Sequence, residues 1–259
     1  MNIDQDRVEN QQIRIDSRGI ALFGDIHGNM PALTSVYDEI VTEGLNSHSY
    51  CVGDLVGYGP HPNEVVNFIR DHDIPTIQGN YDYGVGMDSD ECGCAYNSTE
   101  ARQHGRTSIT WTNNVISDTN RGYLKRLAQQ RTLVVGGTKI TLVHGSPRRI
   151  NEYLYADRPE STFKRLLNLI DSDVLVCGHT HIPYHKQLSD GRHIINVGSI
   201  GKPKDGDSRA CYVHLKVHGS GLSVDHRRVQ YDISDVVTDI KQSGLPDCYA
   251  NALWSGKSV

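Results

Sequence analysis

Five short apolar runs in this chain end alike. GIALFG leads into Asp25, SYCVG into Asp54, IPTIQG into Asn80, KITLV into His144 and DVLVCG into His179. Runs of this length, rich in Val, Ile, Leu and aromatic residues and bounded by glycine, predict buried strands. Between them, apolar residues recur at helical spacing over 31–43, which opens with a proline, over 63–70, with Val65, Val66 and Ile69, and over 161–170, with Phe163, Leu166, Leu167 and Ile170. Strands alternating with helices predict a parallel-type sheet with helices outside it and ligands collected at the carboxyl ends of its strands. The five polar residues then share one rim.

After His181 the runs come closer together. PYHKQL, RHIINV, ACYVHL and LSVDHRRVQ, separated by SDG and VHGSG, predict antiparallel strands joined by tight turns, forming a second sheet packed against the first. Ile233, Val236, Val237 and Ile240 predict a closing amphipathic helix over 232–241. The expected fold is α/β, a four-layer αββα sandwich of two mixed β-sheets with helices on the outer faces. It forms a single domain over 1–259, with a polar N-terminal segment at 1–18, a Gly- and Asp-rich loop insertion at 83–98 near the site, and a C-terminal helical segment at 232–259.

The 259-residue length suits one large α/β domain, and the 37% hydrophobic and 22% charged fractions argue against disorder. A net charge of -5, with no evident Lys/Arg cluster, argues against a nucleic-acid partner or a nuclease. The opening MNIDQDRVENQQIRID has no apolar core, and no run approaches the ~18 apolar residues of a membrane span, so the expectation is a cytoplasmic protein without a membrane partner. Six scattered cysteines (Cys51, Cys92, Cys94, Cys177, Cys211, Cys248) then read as reduced thiols. Cys92 and Cys94 form a C-x-C that can bind a metal or pair transiently; ordinary loop thiols are the simpler reading.

Alone, Asp25-Ile26-His27 or His179-Thr180-His181 carries little information. At a strand end, alternate residues point the same way, so two donors spaced by two can chelate one ion. The stronger signal is the ordered set: GDIHG at 24–28, GDLVG at 53–57, GN at 79–80, VHG at 143–145 and GHTH at 178–181. The other histidines, including His48, His61, His104 and His185, have no such company and read as surface or packing residues.

On these strings the chain resembles the calcineurin-like metallophosphoesterase superfamily and, within it, the small bacterial and archaeal single-domain phosphoesterases. GDLVGYGPHPNEVV and NVGSIGKPKDGDSRACYV look like that branch's extended motifs, and the resemblance runs from about Gly19 nearly to the C-terminus. It implies two divalent metal ions, one held by Asp25, His27 and His181 and the other by Asn80, His144 and His179, with Asp54 bridging them. Imidazole, carboxylate and amide-oxygen donors suit Mn, Fe, Co, Ni or Zn. Two such ions can generate a bridging hydroxide at neutral pH and clamp phosphoryl oxygens during in-line attack. The expected catalytic set is Asp54, Asn80, Tyr81 and Asp82; Gly28, Asn29, Tyr81 and Arg148 are the expected substrate contacts.

Two departures from the family narrow the reaction. The Asp54 motif continues into Gly57 and Tyr58, where protein phosphatases and symmetric dinucleoside-polyphosphate hydrolases have Arg-Gly, which disfavours protein phosphatase activity. Tyr81 stands where many members carry a histidine thought to protonate the leaving group. General acid catalysis is typically worth about 10² to 10⁴-fold, and a phenol with a pKa near ~10 is a poor proton shuttle at neutral pH. The resemblance thus implies a phosphodiesterase or phosphoanhydride hydrolase acting on a small phosphorylated, nucleotide-like substrate. An asymmetric dinucleoside-polyphosphate hydrolase is the alternative among enzymes, and a non-catalytic scaffold of the same fold the alternative of another class.

Overall fold

The computed structural model describes residues 8–13, 18–96, 98–219 and 221–258, the first stretch as backbone alone. In chain order the elements are β1 (Val8–Ile13), β2 (Ile20–Phe23), α1 (Met30–Thr42), β3 (Ser49–Cys51), α2 (Pro62–Asp71), α3 (Asn80–Gly86), α4 (Thr99–Val115), α5 (Asp118–Arg126), β4 (Gln130–Val135), β5 (Thr138–Val143), α6 (Glu160–Ile170), β6 (Val174–Cys177), β7 (Tyr184–Gln187), β8 (His193–Asn196), β9 (Ala210–His218), β10 (Gly221–Val229), α7 (Ile233–Ser243) and α8 (Asp247–Ser255). Two mixed sheets result, one in the order β1-β4-β5-β6-β8-β7 and the other in the order β10-β9-β2-β3.

Alternation along the strands builds the layers, because successive side chains leave a strand on opposite faces. Ile20 and Leu22 of β2, Val213 and Leu215 of β9, Leu133 and Val135 of β4, Ile140 and Leu142 of β5 and Val174 and Val176 of β6 pack together between the sheets. The intervening residues Ala21, Phe23, Ala210 and Tyr212 face the other way, onto Leu33, Val36 and Ile40 of α1 and Val65, Val66 and Ile69 of α2. On the far side, Val143, Leu175, Cys177 and Ile194 meet Phe163, Leu166 and Leu167 of α6. Helix, sheet, sheet and helix therefore stack in the expected four layers. Helices α7 and α8 form a smaller cluster of their own, joined to α4 where Trp111 Nε1 donates to the Ser243 carbonyl at 2.9 Å.

Three expectations need correction. First, the strands after His181 do not form one sheet of their own. β7 and β8 extend the sheet of β6, while β9 and β10 extend the sheet of β2. Burial explains the split: β8 and β9 are largely buried and take interior positions, whereas β7 and most of β10 alternate between half-buried and exposed residues and take the edges. Likewise, four of the five rim-forming runs are shared between both sheets, β2 and β3 in one and β5 and β6 in the other. Second, the run IPTI makes only single bridges, Thr76 to Cys51 and Ile77 to Ala128, and no strand. Third, the chain from Tyr83 to Gly86 belongs to α3, so the irregular stretch begins at Met87. The α3 helix forms despite two glycines because the Asp82 carboxylate caps the Gly79 amide at 2.9 Å and Tyr81 and Val85 are buried.

Of the N-terminal segment 1–18, residues 1–7 and 14–17 lie outside the described residues, as do Asn97 of the loop and Val259 of the C-terminal segment. Val8–Ile13 pairs in parallel with β4, a strand its polar sequence does not announce. No described helix is long and apolar enough to cross a membrane. Leu22→Ala should lower stability by about 2–5 kcal/mol in urea unfolding, because it empties a fully buried site between the sheets. A loss under about 1 kcal/mol would contradict the two-sheet core.

Candidate metal centre

The loop after β2 and the loop after β3 are sewn together by backbone. Asp25 N donates to Gly53 O at 2.9 Å, Ile26 N and His27 N to Asp54 O at 2.9 and 3.0 Å, and Gly28 N to Leu55 O at 2.8 Å. Asp25, His27, Asp54, His179 and His181 all have positive φ, between 48° and 64°. A non-glycine residue in this left-handed region costs roughly 1–3 kcal/mol and persists only where its surroundings enforce it. Asp25 and His27 therefore meet by a route other than strand alternation: both lie beyond the strand, in turns locked by the neighbouring loop. Gly79 permits that neighbour to approach, since a Cβ there would sit 2.2 Å from Asp54 N and Oδ1.

Ligand atoms of Asp25, His27 and His181 fall within 4.8 Å of one another, and so do those of Asp54, His144 and His179. Each carboxylate has one oxygen tied down and the other turned inward. Asp25 Oδ2 accepts from His179 N at 3.0 Å and Asp54 Oδ1 from Tyr81 N at 2.8 Å. The free Asp54 Oδ2 stands 3.6 Å from His27 Nε2 and 3.3 Å from His144 Nε2, between the two groups. Asn80 Oδ1 lies 3.0 Å from His144 Nε2, and its amide nitrogen donates to Cys92 O at 3.1 Å and Cys94 Sγ at 3.2 Å, which orients the oxygen toward the centre.

The imidazoles are held from behind. His27 Nδ1 donates to Val56 O at 2.9 Å, His144 Nδ1 to Val52 O at 2.8 Å and His181 Nδ1 to Lys202 O. With the proton at Nδ1, each Nε2 presents a lone pair inward. His27 Nε2 then faces His181 Nε2 at 3.2 Å, and Asp25 Oδ1 faces His181 Nε2 at 3.1 Å. Acceptor meets acceptor, and Asp25 Oδ1 and His179 Nε2 are buried without a hydrogen-bond partner. Buried acceptors are normally satisfied, so this donor set fits divalent cations.

Protonation agrees with that fit. Burial pushes His27 down to about 3 against the pull of Asp54, and pushes His179 and His181 well below the usual imidazole range. Neutral imidazole is the ligating form. For His144, burial is outweighed by the Asp54 carboxylate, which raises it to about 9; a cation beside Asp54 would displace that proton.

Asp82 takes another part. Its oxygens accept from Asp54 N at 2.8 Å, Leu55 N at 2.8 Å and Gly79 N at 2.9 Å, so it positions Asp54 rather than facing the centre. Burial and the Asp54 charge raise it to about 7 despite those bonds. Tyr81 contributes a wall: its ring meets His27 edge-on at 5.4 Å and Tyr58 at 4.9 Å, and its hydroxyl is buried without a partner. Gly57, at φ 88°, makes room for it, since a Cβ there would lie 2.3 Å from the Tyr81 ring.

A cavity of about 220 Å³ opens over both groups, lined also by Tyr58, Tyr96, Tyr153, Tyr249, Lys202 and Lys204. The irregular stretch contributes Cys94, Ala95, Tyr96 and Ser98, so it does border the site. The other expected substrate contacts are otherwise engaged. Gly28 N is bonded to Leu55 O. Asn29 caps α1 through Ala32 N and donates to Gly201 O and Tyr231 Oη. Arg148 pairs with Glu152 and does not line the cavity. The cations that do line it, Lys202 and Lys204, escaped sequence reading, although their Lys-Pro-Lys string follows a Gly-Ser-Ile-Gly turn. His104, read as surface or packing, lines it too.

Comparison with known proteins agrees with this geometry. Residues 19–220 match the calcineurin-like phosphoesterase superfamily domain. The chain is 31% identical over 255 residues to an uncharacterized protein of Methanocaldococcus jannaschii, covering 92% of this chain and 98% of that one. It is similar to a crystal structure of a metallophosphoesterase from Sphaerobacter thermophilus, with TM-score 0.72 and 27% identity over 93% of this chain and 100% of that chain. A hypothetical protein from Pyrococcus horikoshii shares the fold, with TM-score 0.76 and 24% identity over 93% of this chain and 99% of that chain.

Asp54→Asn weakens the one carboxylate that faces both groups. Metal analysis of the purified variant should show loss of bound divalent ions, with hydrolysis abolished. Wild-type metal content together with full activity would contradict a shared centre.

Proposed function

The chain belongs to the calcineurin-like phosphoesterase superfamily, and from that premise we propose a dinuclear metal-dependent phosphoesterase that cleaves phosphodiester or phosphoanhydride bonds of a small, nucleotide-like substrate. The observation that carries this reading is Asp54 Oδ2, flanked by His27 of one ligand group and His144 of the other at the floor of the cavity. Asp25, His27 and His181 would hold one ion, Asn80, His144 and His179 the second, and Asp54 both. Bound there, two divalent ions supply a Lewis-acid clamp and water made nucleophilic at neutral pH.

The chain's own groups then limit which bonds yield. Burial raises the Tyr81 phenol well above its ordinary value, so at neutral pH it keeps its proton. A leaving group that needs protonation gains little from it. Diesters with acidic alcohols and anhydrides leave without that help; alkyl monoesters do not. All seven ligand positions hold donors, which speaks against a non-catalytic scaffold. Six free cysteines fit a reducing, cytoplasmic setting.

Manganese-loaded protein should hydrolyse an aryl phosphodiester faster than the matching monoester, and a clear monoester preference would refute this account of Tyr81. Tyr81→His should raise the monoester-to-diester rate ratio by about tenfold or more, a modest share of what general acid catalysis provides. An unmoved ratio would mean that the residue does not contact the leaving group.

A further inference from the structure

Several exposed or half-buried cations of this protein have anionic partners: Arg148 pairs with Glu152, Arg192 with Asp190, Arg209 with Asp207 and Lys164 with Glu160. Lys202 and Lys204 are different. Lys202 is 7% exposed, with Nζ 4.3 Å from the centre of the Tyr58 ring, and Lys204 borders the same cavity two residues later. Among the described residues, no carboxylate lies within ion-pair distance of either ammonium. Burying a cation such as Lys202 without a counter-ion is costly, and a second, half-buried cation in the same cavity adds to that cost. Such an arrangement persists where a ligand anion completes it.

We propose that Lys202 and Lys204 form a subsite for a second phosphate, so that the preferred substrate is a phosphoanhydride, with one phosphoryl group at the metal ligands and its neighbour between the two lysines. This rests on the phosphoesterase reading above. Charge supports it: two divalent ions would exceed the charge of Asp25 and Asp54, and each lysine that carries its proton adds positive charge that a singly charged diester leaves unbalanced. Size supports it as well. The cavity's 220 Å³ is below the roughly 300–1,000 Å³ usual for pockets enclosing a whole drug-sized ligand, which suits a diphosphate inside with the rest of the molecule at the mouth. Tyr96 and Tyr153 line the same cavity, Tyr153 with its ring 4.1 Å from that of His179.

Two measurements on the metal-loaded protein test this. The first compares ADP with an aryl phosphodiester in wild type, Lys202→Met and Lys204→Met. In each variant the loss in kcat/KM for ADP should exceed the loss for the diester by about tenfold, since a charge-assisted bond to one phosphate is removed. Lys204→Arg should recover most of it. Equal losses would overturn the proposal, because the lysines would then serve the scissile phosphoryl group. The second is calorimetric binding of methylenediphosphonate against inorganic phosphate. Wild type should prefer the diphosphonate by about tenfold, and Lys204→Met should lose that preference. No preference in wild type would overturn the subsite even if hydrolysis is robust. Conversely, a wild type that hydrolyses neither substrate yet prefers the diphosphonate keeps the subsite and sinks the enzymatic reading. Should Lys202→Met fail to fold in a melting curve, the less buried Lys204 carries both tests.

Discussion

The Asp82 carboxylate accepts the amides of Asp54, Leu55 and Gly79, and in doing so ties the loop after β3 to the first turn of α3. That tie sets Asp54 in its left-handed conformation, with one oxygen taken by Tyr81 N and the other facing His27 and His144. The Asp54 carbonyl in turn accepts from Ile26 and His27, which shapes the loop that presents Asp25 and His27. One buried carboxylate, away from the centre itself, thus propagates order through three loops. A carboxyl acceptor of three backbone amides suits this task because hydrogen bonds are strong and directional where water is excluded.

The centre concentrates what folding normally avoids. Four imidazoles and two carboxylates are buried within a few ångströms, with acceptors opposed to acceptors. Left-handed turns add strain at five of the ligand residues. Divalent cations bound there would offset both costs, which would link metal binding to the stability of these loops. The two-sheet core, with helices packed on its outer faces, is what holds the loops in place. Rigidity of that kind also explains why the aromatic walls can stay close to the ligands: Tyr58 and Tyr81 pack on each other and on His27.

Much of this was legible from local patterns. Short runs ending in Gly-Asp, Gly-His and, at KITLV, directly in His announced both strands and candidate ligands, because a buried strand must be apolar and a ligand must follow where the chain can turn; the run ending in Gly-Asn announced a candidate ligand without a strand. Long helices such as α1 and α6 were legible from their periodicity. The allocation of β7 to β10 between two sheets was not, since hairpin-like spacing says that strands pair locally without saying which sheet receives them. Nor was β1, whose sequence VENQQI lacks an apolar face. Lys202 and Lys204 were invisible as site residues because a lysine's default is solvent; only the burial of Lys202 over the Tyr58 ring and the place of both in the cavity lining single them out.

By itself, then, the sequence determined the layer composition of the fold, the family and which side chains can bind metal, all of which depend on residue type and on neighbours a few positions away. Tertiary structure alone decided how those side chains meet. Asp25 and His27 converge through loop-to-loop hydrogen bonds, Asp82 acts behind Asp54, Asn29 and Arg148 turn to other partners, and two lysines enter the cavity. Each of these outcomes joins residues distant in the chain, and side-chain direction in a turn is set by the partner that locks it rather than by its own sequence.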